Sequence, residues 1–207
     1  MALELIQAVE QADSAEGLLN AVKALAAAGS TEAIPTLITV LGYNNPGAAV
    51  AAVDGLIQVG EPAVLPLLEQ LDGYNYGARA WAVRALAGIG DPRGLNILLD
   101  AAANDFALSV RRAAARGLGT ICWELMPAAQ IPESQKNVSQ TLLQASQDPE
   151  WVVRYAAVGG LQALASAAVQ PDWLSQVLSR LEEIASGDET SSVRARAMLA
   201  QQQLLPG

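Results

Sequence analysis

The sequence predicts an all-α fold in which pairs of short helices stack into a right-handed solenoid. Three observations predict it. Ala, Leu and Val supply most of a 52% apolar content, while aromatic residues make up only 4%. A Leu recurs along the chain as Leu25, Leu56, Leu86, Leu118, Leu161 and Leu199, at steps of 31, 30, 32, 43 and 38 residues. A Gly follows the first three of these by four residues, as Gly29, Gly60 and Gly90. Ala and Leu lose little on entering a helix, self-similarity at this period marks stacked repeats, and a Gly suits the left-handed position that ends a helix.

Taken in order, residues 1–20 are expected to form an N-terminal cap, whose outer face need not match a neighbour. Each unit then reads as helix, tight turn, helix. The first helix carries the recurring Leu and ends at its Gly. Pro62 and Pro92 fall where the next helix begins, where a missing N–H costs nothing. Apolar runs such as Ala63 to Leu71 and Leu95 to Ala101 form the second helix. After Leu118 the step lengthens, and Pro127 to Pro132 predict an irregular connection or extended helix over residues 127–140. Gln170, Pro171 and Asp172 mark the next turn, with Asp172 as N-cap of a helix beginning near Trp173. Residues 188–207 close the array as a C-terminal cap. The architecture is a HEAT-like α–α superhelix, read as one domain over residues 1–207.

A second periodicity lies at the start of the first helices. Asp105 precedes Arg111 by six residues, Asp148 precedes Arg154 by six, and Asp188 precedes Arg194 by six; Asp72 and Arg79 are a looser version at seven. This spacing puts an Asp in each inter-repeat turn within reach of an Arg. Arg79, Arg111, Arg154 and Arg194 are therefore expected to fix the register between repeats.

Composition excludes several chemistries. The net charge of −9 lacks the positive footprint of a nucleic-acid binder. The chain contains no His and one Cys, Cys122, beside Trp123. That removes His-based metal sites, Ser-His and Cys-His nucleophile pairs, Cys-rich metal clusters and an intrachain disulfide, and points to a reducing compartment. The first residues lack a secretory pattern. The longest uncharged stretches, Ala33 to Val53 and Tyr155 to Pro171, are interrupted by Pro, Gly or polar residues, so no membrane span is expected. A soluble, cytoplasmic protein without a self-contained catalytic centre results.

The charge is uneven: −8 over residues 1–78, +3 over 79–116 and −4 over the rest. Within this pattern, Asp72 to Trp81 (DGYNYGARAW) crowds Tyr74, Tyr76 and Trp81 around a turn. Arg112 and Arg116 follow, four apart on one helix face, and Arg84 takes the place in its repeat that Arg116 takes in its own. Aromatic faces beside guanidinium groups suit a flat, conjugated, anionic ligand. Filling of an inter-repeat gap is the competing role for the aromatics. The competing function is a non-catalytic scaffold with the acidic N-terminal third as its docking surface.

The stretch DGYNYGARAWAVRALAGIGDPRGL, with NDFALSVRRAAARGLG after it, resembles the F-type subunit of the heterodimeric E/F phycobilin lyases. The resemblance implies attachment of phycocyanobilin, an open-chain tetrapyrrole with two propionates, through a thioether to a cysteine of the phycocyanin α subunit, reversibly and in complex with an E-type subunit. The acceptor protein supplies the thiol, so the lyase works by holding and delivering the bilin as substrate, with no cofactor of its own. On this reading Tyr74, Tyr76 and Trp81 lie against the bilin, Arg112 with Arg84 or Arg116 draws its propionates, and Asp72 is the catalytic candidate, hydrogen-bonding the pyrrole nitrogens. Relatives that also isomerise the bilin depend on an adjacent His-Cys pair. Without His, attachment without isomerisation is expected.

Overall fold

The computed structural model describes residues 2–71, 76–169 and 171–204. Asp72 and Tyr74 lie outside the described residues, as does Gln170. The described residues are helices joined by turns, with no strand among them. The chain divides into two compact units, Met1–Gly94 and Leu95–Gly207.

The first unit holds α1 (Ala2–Glu10), α2 (Ala15–Ala27), α3 (Ile34–Val40), α4 (Pro46–Val59), α5 (Val64–Gln70) and α6 (Tyr76–Ile89). Within it α4 packs on both α2 and α6, while α3 packs on α5 and closes against α4. The expected cap, residues 1–20, comprises α1 and the start of α2. Ser14 accepts a hydrogen bond from the Gly17 amide to start α2, and Asn45 accepts one from Ala48 to start α4. Asn45 also donates through Nδ2 to the Ala15 carbonyl at 3.0 Å, tying one repeat's cap to its neighbour. Gly29, Gly60 and Gly90 have φ of 58°, 74° and 72°, the left-handed region that the spacing predicted. Pro62 and Pro92 sit in single 3₁₀ turns, Glu61–Ala63 and Pro92–Gly94, which lead into the second helices.

The second unit holds α7 (Leu95–Asn104), α8 (Leu108–Leu118), α9 (Ile131–Ala145), α10 (Trp151–Ala167), α11 (Leu174–Gly187) and α12 (Ser191–Leu204). Helices α8, α10 and α12 stack as one layer, and α7, α9 and α11 as the other. The stretch predicted as irregular or extended helix contains a 3₁₀ turn, Ala128–Gln130, and the first two-thirds of α9.

The recurring Leu form the core: Leu25, Leu56, Leu86, Leu118 and Leu161 are at most 1% exposed. Leu37, Leu67, Leu98, Leu142 and Leu181 are equally buried on the second helices. The register fails at Leu199, which is 45% exposed. Counted from the Asp of its turn, Leu199 stands two residues short of the buried position held by Leu118 and Leu161, and it faces outward. The expected Asp172 cap is also corrected: α11 starts from Trp173 in a helical conformation, with no side-chain cap bond. Trp173 itself is buried, so packing of its indole fixes the entry into α11.

Glycines set the helix spacing. A Cβ on Gly119 would stand 2.6 Å from the Cα of Gly160, and one on Gly160 would stand 2.6 Å from the Ala115 carbonyl. Helices α8 and α10 therefore meet backbone to backbone, closer than any side chain permits.

Candidate functional site

The Asp–Arg spacing builds a ladder in the second unit. Arg111, near the start of α8, donates through Nη1 to the carbonyls of Asp105 and Phe106 in its own turn. Its Nε and Nη2 reach the Asp148 carboxylate of the next repeat at 2.7 and 3.1 Å. Arg154 repeats the pattern, with Nη1 on the carbonyls of Asp148 and Pro149, and Nε and Nη2 on Asp188 at 2.8 and 3.1 Å. Arg194 ends the ladder on the carbonyls of Asp188 and Glu189. Each Asp also accepts from the amide two residues on: Ala107, Glu150 and Thr190. Burial raises the pKa of Asp148 and Asp188. The guanidinium and amide hydrogen bonds outweigh it and hold both below the ordinary carboxylate value. These arginines are structural, consumed in fixing the register.

The ladder also aligns what each helix shows to the outside. The residue after each ladder Arg gives the row Arg112, Tyr155 and Ala195. Four residues after that row lie Arg116, Gly159 and Leu199, and four residues before it Leu108, Trp151 and Ser191. Members of these rows line a groove of about 800 Å³ across α8, α10 and α12, within the range of about 300–1,000 Å³ common for small-molecule sites. Its floor is α10, kept low by Ala156, Gly159 and Ala163. Arg112 and Arg116 form the α8 wall, Arg196 and Leu199 the α12 wall, and Trp151 and Tyr155 project from α10 one turn apart. Among the described residues the lining holds three Arg and no Asp or Glu.

Arg196 differs from the other two. Arg112 and Arg116 are exposed, whereas Arg196 is partly buried, with Nη2 donating to Gln162 Oε1 at 2.6 Å. Gln162 in turn donates through Nε2 to Gln203 Oε1. The Nη1 of Arg196 is buried and has no hydrogen-bond partner among the described residues. Leaving such a donor unsatisfied costs about 1–3 kcal/mol, and more when it is charged.

The structure thus brings Arg112 and Arg116 together in one groove. Tyr76, Trp81 and Arg84 lie on α6 in the first unit, where the Arg84 guanidinium stacks 4.5 Å from the centre of the Trp81 ring. Tyr76 is 37% exposed at the start of that helix. Trp151, Tyr155 and Arg196 escaped the sequence reading. Extending the row of Arg112 by the Asp–Arg spacing would have reached Tyr155. Cys122 is half-buried in the connection after α8, away from the groove lining.

Stacked helix pairs joined by an Asp–Arg ladder define a HEAT-repeat protein, and the model of HEAT repeats matches residues 2–75 and 66–131, with a further HEAT repeat at 138–168. The phycocyanin alpha phycocyanobilin lyase CpcF of Synechocystis sp. PCC 6803 is 63% identical over 164 residues, covering 79% of this chain and 77% of that protein. The phycocyanobilin lyase subunit beta of Nostoc sp. PCC 7120 is 51% identical, covering 98% of this chain and 100% of its own. In the solved complex of CpcE and CpcF of phycocyanin lyase from Nostoc sp. PCC 7120, one chain superposes with a TM-score of 0.75 at 52% identity, over 83% of this chain and 99% of that one. The chain belongs to the family of phycocyanobilin lyase β subunits, the F-type chains.

Proposed function

We infer that this chain is the F-type subunit of a heterodimeric lyase that attaches phycocyanobilin through a thioether to a cysteine of the phycocyanin α subunit. It acts in complex with an E-type subunit, as its relatives' names and the CpcE–CpcF complex support. The observation that carries the reading at the level of chemistry is the groove of the second unit. Three guanidinium groups without a lining carboxylate, beside two half-exposed aromatic rings, match an elongated conjugated molecule bearing two propionates.

The reaction asks little else of this chain. The nucleophile is the acceptor's thiol, so the lyase contributes by holding the bilin extended, shielding it from water and presenting its reactive end. Phycocyanobilin is substrate here, taken up and passed on, and no resident cofactor enters the scheme. Arg112 and Arg116 draw the propionates, while Trp151 and Tyr155 stack against the pyrrole rings. Tyr76 and Trp81 with Arg84 form a second aromatic and cationic place on α6, suited to an earlier or later stage of transfer. Tyr74 and Asp72, just before them in sequence, keep their proposed parts against the bilin rings and pyrrole nitrogens. No single helix among the described residues is long and apolar enough to cross a membrane, and we place the protein in the cytoplasm, with its acceptor.

The test is reconstitution of phycocyanobilin, apo-phycocyanin α subunit and an E-type partner, with and without this chain, scored as covalent bilin on the denatured acceptor. Attachment that depends on the chain is the expected result. Equal attachment without it, given a competent partner, would leave a HEAT-repeat scaffold in its place.

A further inference from the structure

Arg196 does more in the groove than add a third positive charge. The guanidinium is oriented: Nη2 is committed to Gln162, and Gln162 is held by Gln203 one repeat further on. That chain of amides fixes the plane of the fork and leaves Nη1, shielded from water, with an unused N–H. Gly159 completes the arrangement. A Cβ at that position would lie 3.4 Å from Arg196 Nη2 and 3.8 Å from Nε, so the missing side chain leaves room for the Nη2–Nε edge of the guanidinium along the groove floor. Arg112 and Arg116 on the opposite wall are exposed and rotatable, and their attraction is screened by salt. A desolvated, pre-oriented donor discriminates by geometry, and a planar fork matches a carboxylate.

We propose that Arg196 is the carboxylate-docking residue of the groove, taking one propionate of the bilin on its pre-oriented guanidinium and so setting which end of the ligand lies against α12. The inference rests on the reading that the groove receives the bilin, and it assigns separate tasks to the two walls. The α8 arginines attract the dianion from solution; Arg196 selects its orientation.

The experiment compares phycocyanobilin with its dimethyl ester, which keeps the conjugated system and loses both carboxylates. Binding is read by absorbance with the complete heterodimer. The wild-type complex is expected to prefer the diacid, and Arg196→Gln is expected to reduce that preference about tenfold, the scale of one charge-assisted hydrogen bond. Arg196→Lys, which keeps the charge, should retain more of it than Arg196→Gln. Structural damage alone would weaken both ligands together and leave the ratio intact. An unchanged ratio in Arg196→Gln, or equal wild-type affinity for diacid and diester, overturns the assignment while leaving the groove as a bilin site. If Arg196→Gln fails to fold, Arg196→Met supplies the same ratio. No binding of either compound by a complex competent in bilin transfer would remove the groove from the pathway and this inference with it.

Discussion

Leu56 shows what a single residue contributes. It lies on α4 with no exposed surface, next to the turn that Gly60 closes. Leu56→Ala removes buried methyl groups and leaves a void that short, Ala-rich helices fill poorly, so a loss of about 2–5 kcal/mol is expected in a denaturant melt. Gly160 tests the opposite failure. Its added methyl would meet the Ala115 carbonyl at 2.6 Å and Leu142 Cδ2 at 2.9 Å. Leu142 can rotate and the carbonyl cannot. Gly160→Ala should therefore push α10 off α8 and cost about 1–3 kcal/mol, the usual price of overpacking, visible as a lowered melting temperature. Sequence alone made Leu56 legible, because it recurs; Gly160 was not, because the backbone it touches is 45 residues away and carries no pattern.

At the scale of elements, the ladder explains both what the sequence revealed and what it concealed. Gly and Pro punctuate the first three repeats, so their turns could be read directly. Beyond Leu118 the repeats lengthen, and matching Leu to Leu then chose Leu199, whereas the Asp–Arg spacing sets the register two residues later. The groove was hidden for the same reason: Arg112, Tyr155 and Arg196 come together only once α8, α10 and α12 are aligned. The ladder also predicts how the repeats fail. The side chains of Arg154 and Asp188 are 9% and 7% exposed, so Asp188→Ala would leave the buried Nε of Arg154 without its partner and cost about 1–3 kcal/mol. The carbonyls of Asp148 and Pro149 and the Glu189 carboxylate would still hold the rest of the guanidinium. The same pairs define an acid limit. Asp148 and Asp188 titrate below their ordinary value of about 3.9. Their stabilisation is complete above that value and is lost as pH falls through the lower folded one. Melting temperature should hold from neutral pH to about 5 and drop below about 4. Asp188→Asn should flatten part of that drop.

At the scale of the molecule, a chain with net charge −9 gathers cations and aromatics in two places, one on each compact unit, and the proposed bilin could meet either. On α6, Arg84 is already stacked on Trp81, so part of its cationic capacity is spent inside the protein. In the groove, Trp151 and Tyr155 are 46% and 42% exposed, and the facing arginines meet no lining carboxylate. Ligand contact should therefore depend more on the second unit. Trp151→Ala and Tyr155→Ala remove half-buried rings and should cost about 1–2 kcal/mol of stability, too little to unfold the chain. Each should lower bilin transfer by about three- to tenfold, the worth of one ring stacked on a conjugated partner, with heterodimer formation intact. Tyr76→Ala is the matched control on the first unit, of similar exposure. Full transfer in both α10 variants, together with loss in Tyr76→Ala, would move the bilin to the aromatic stretch DGYNYGARAW, and the groove's arginines would then serve the acceptor protein's surface.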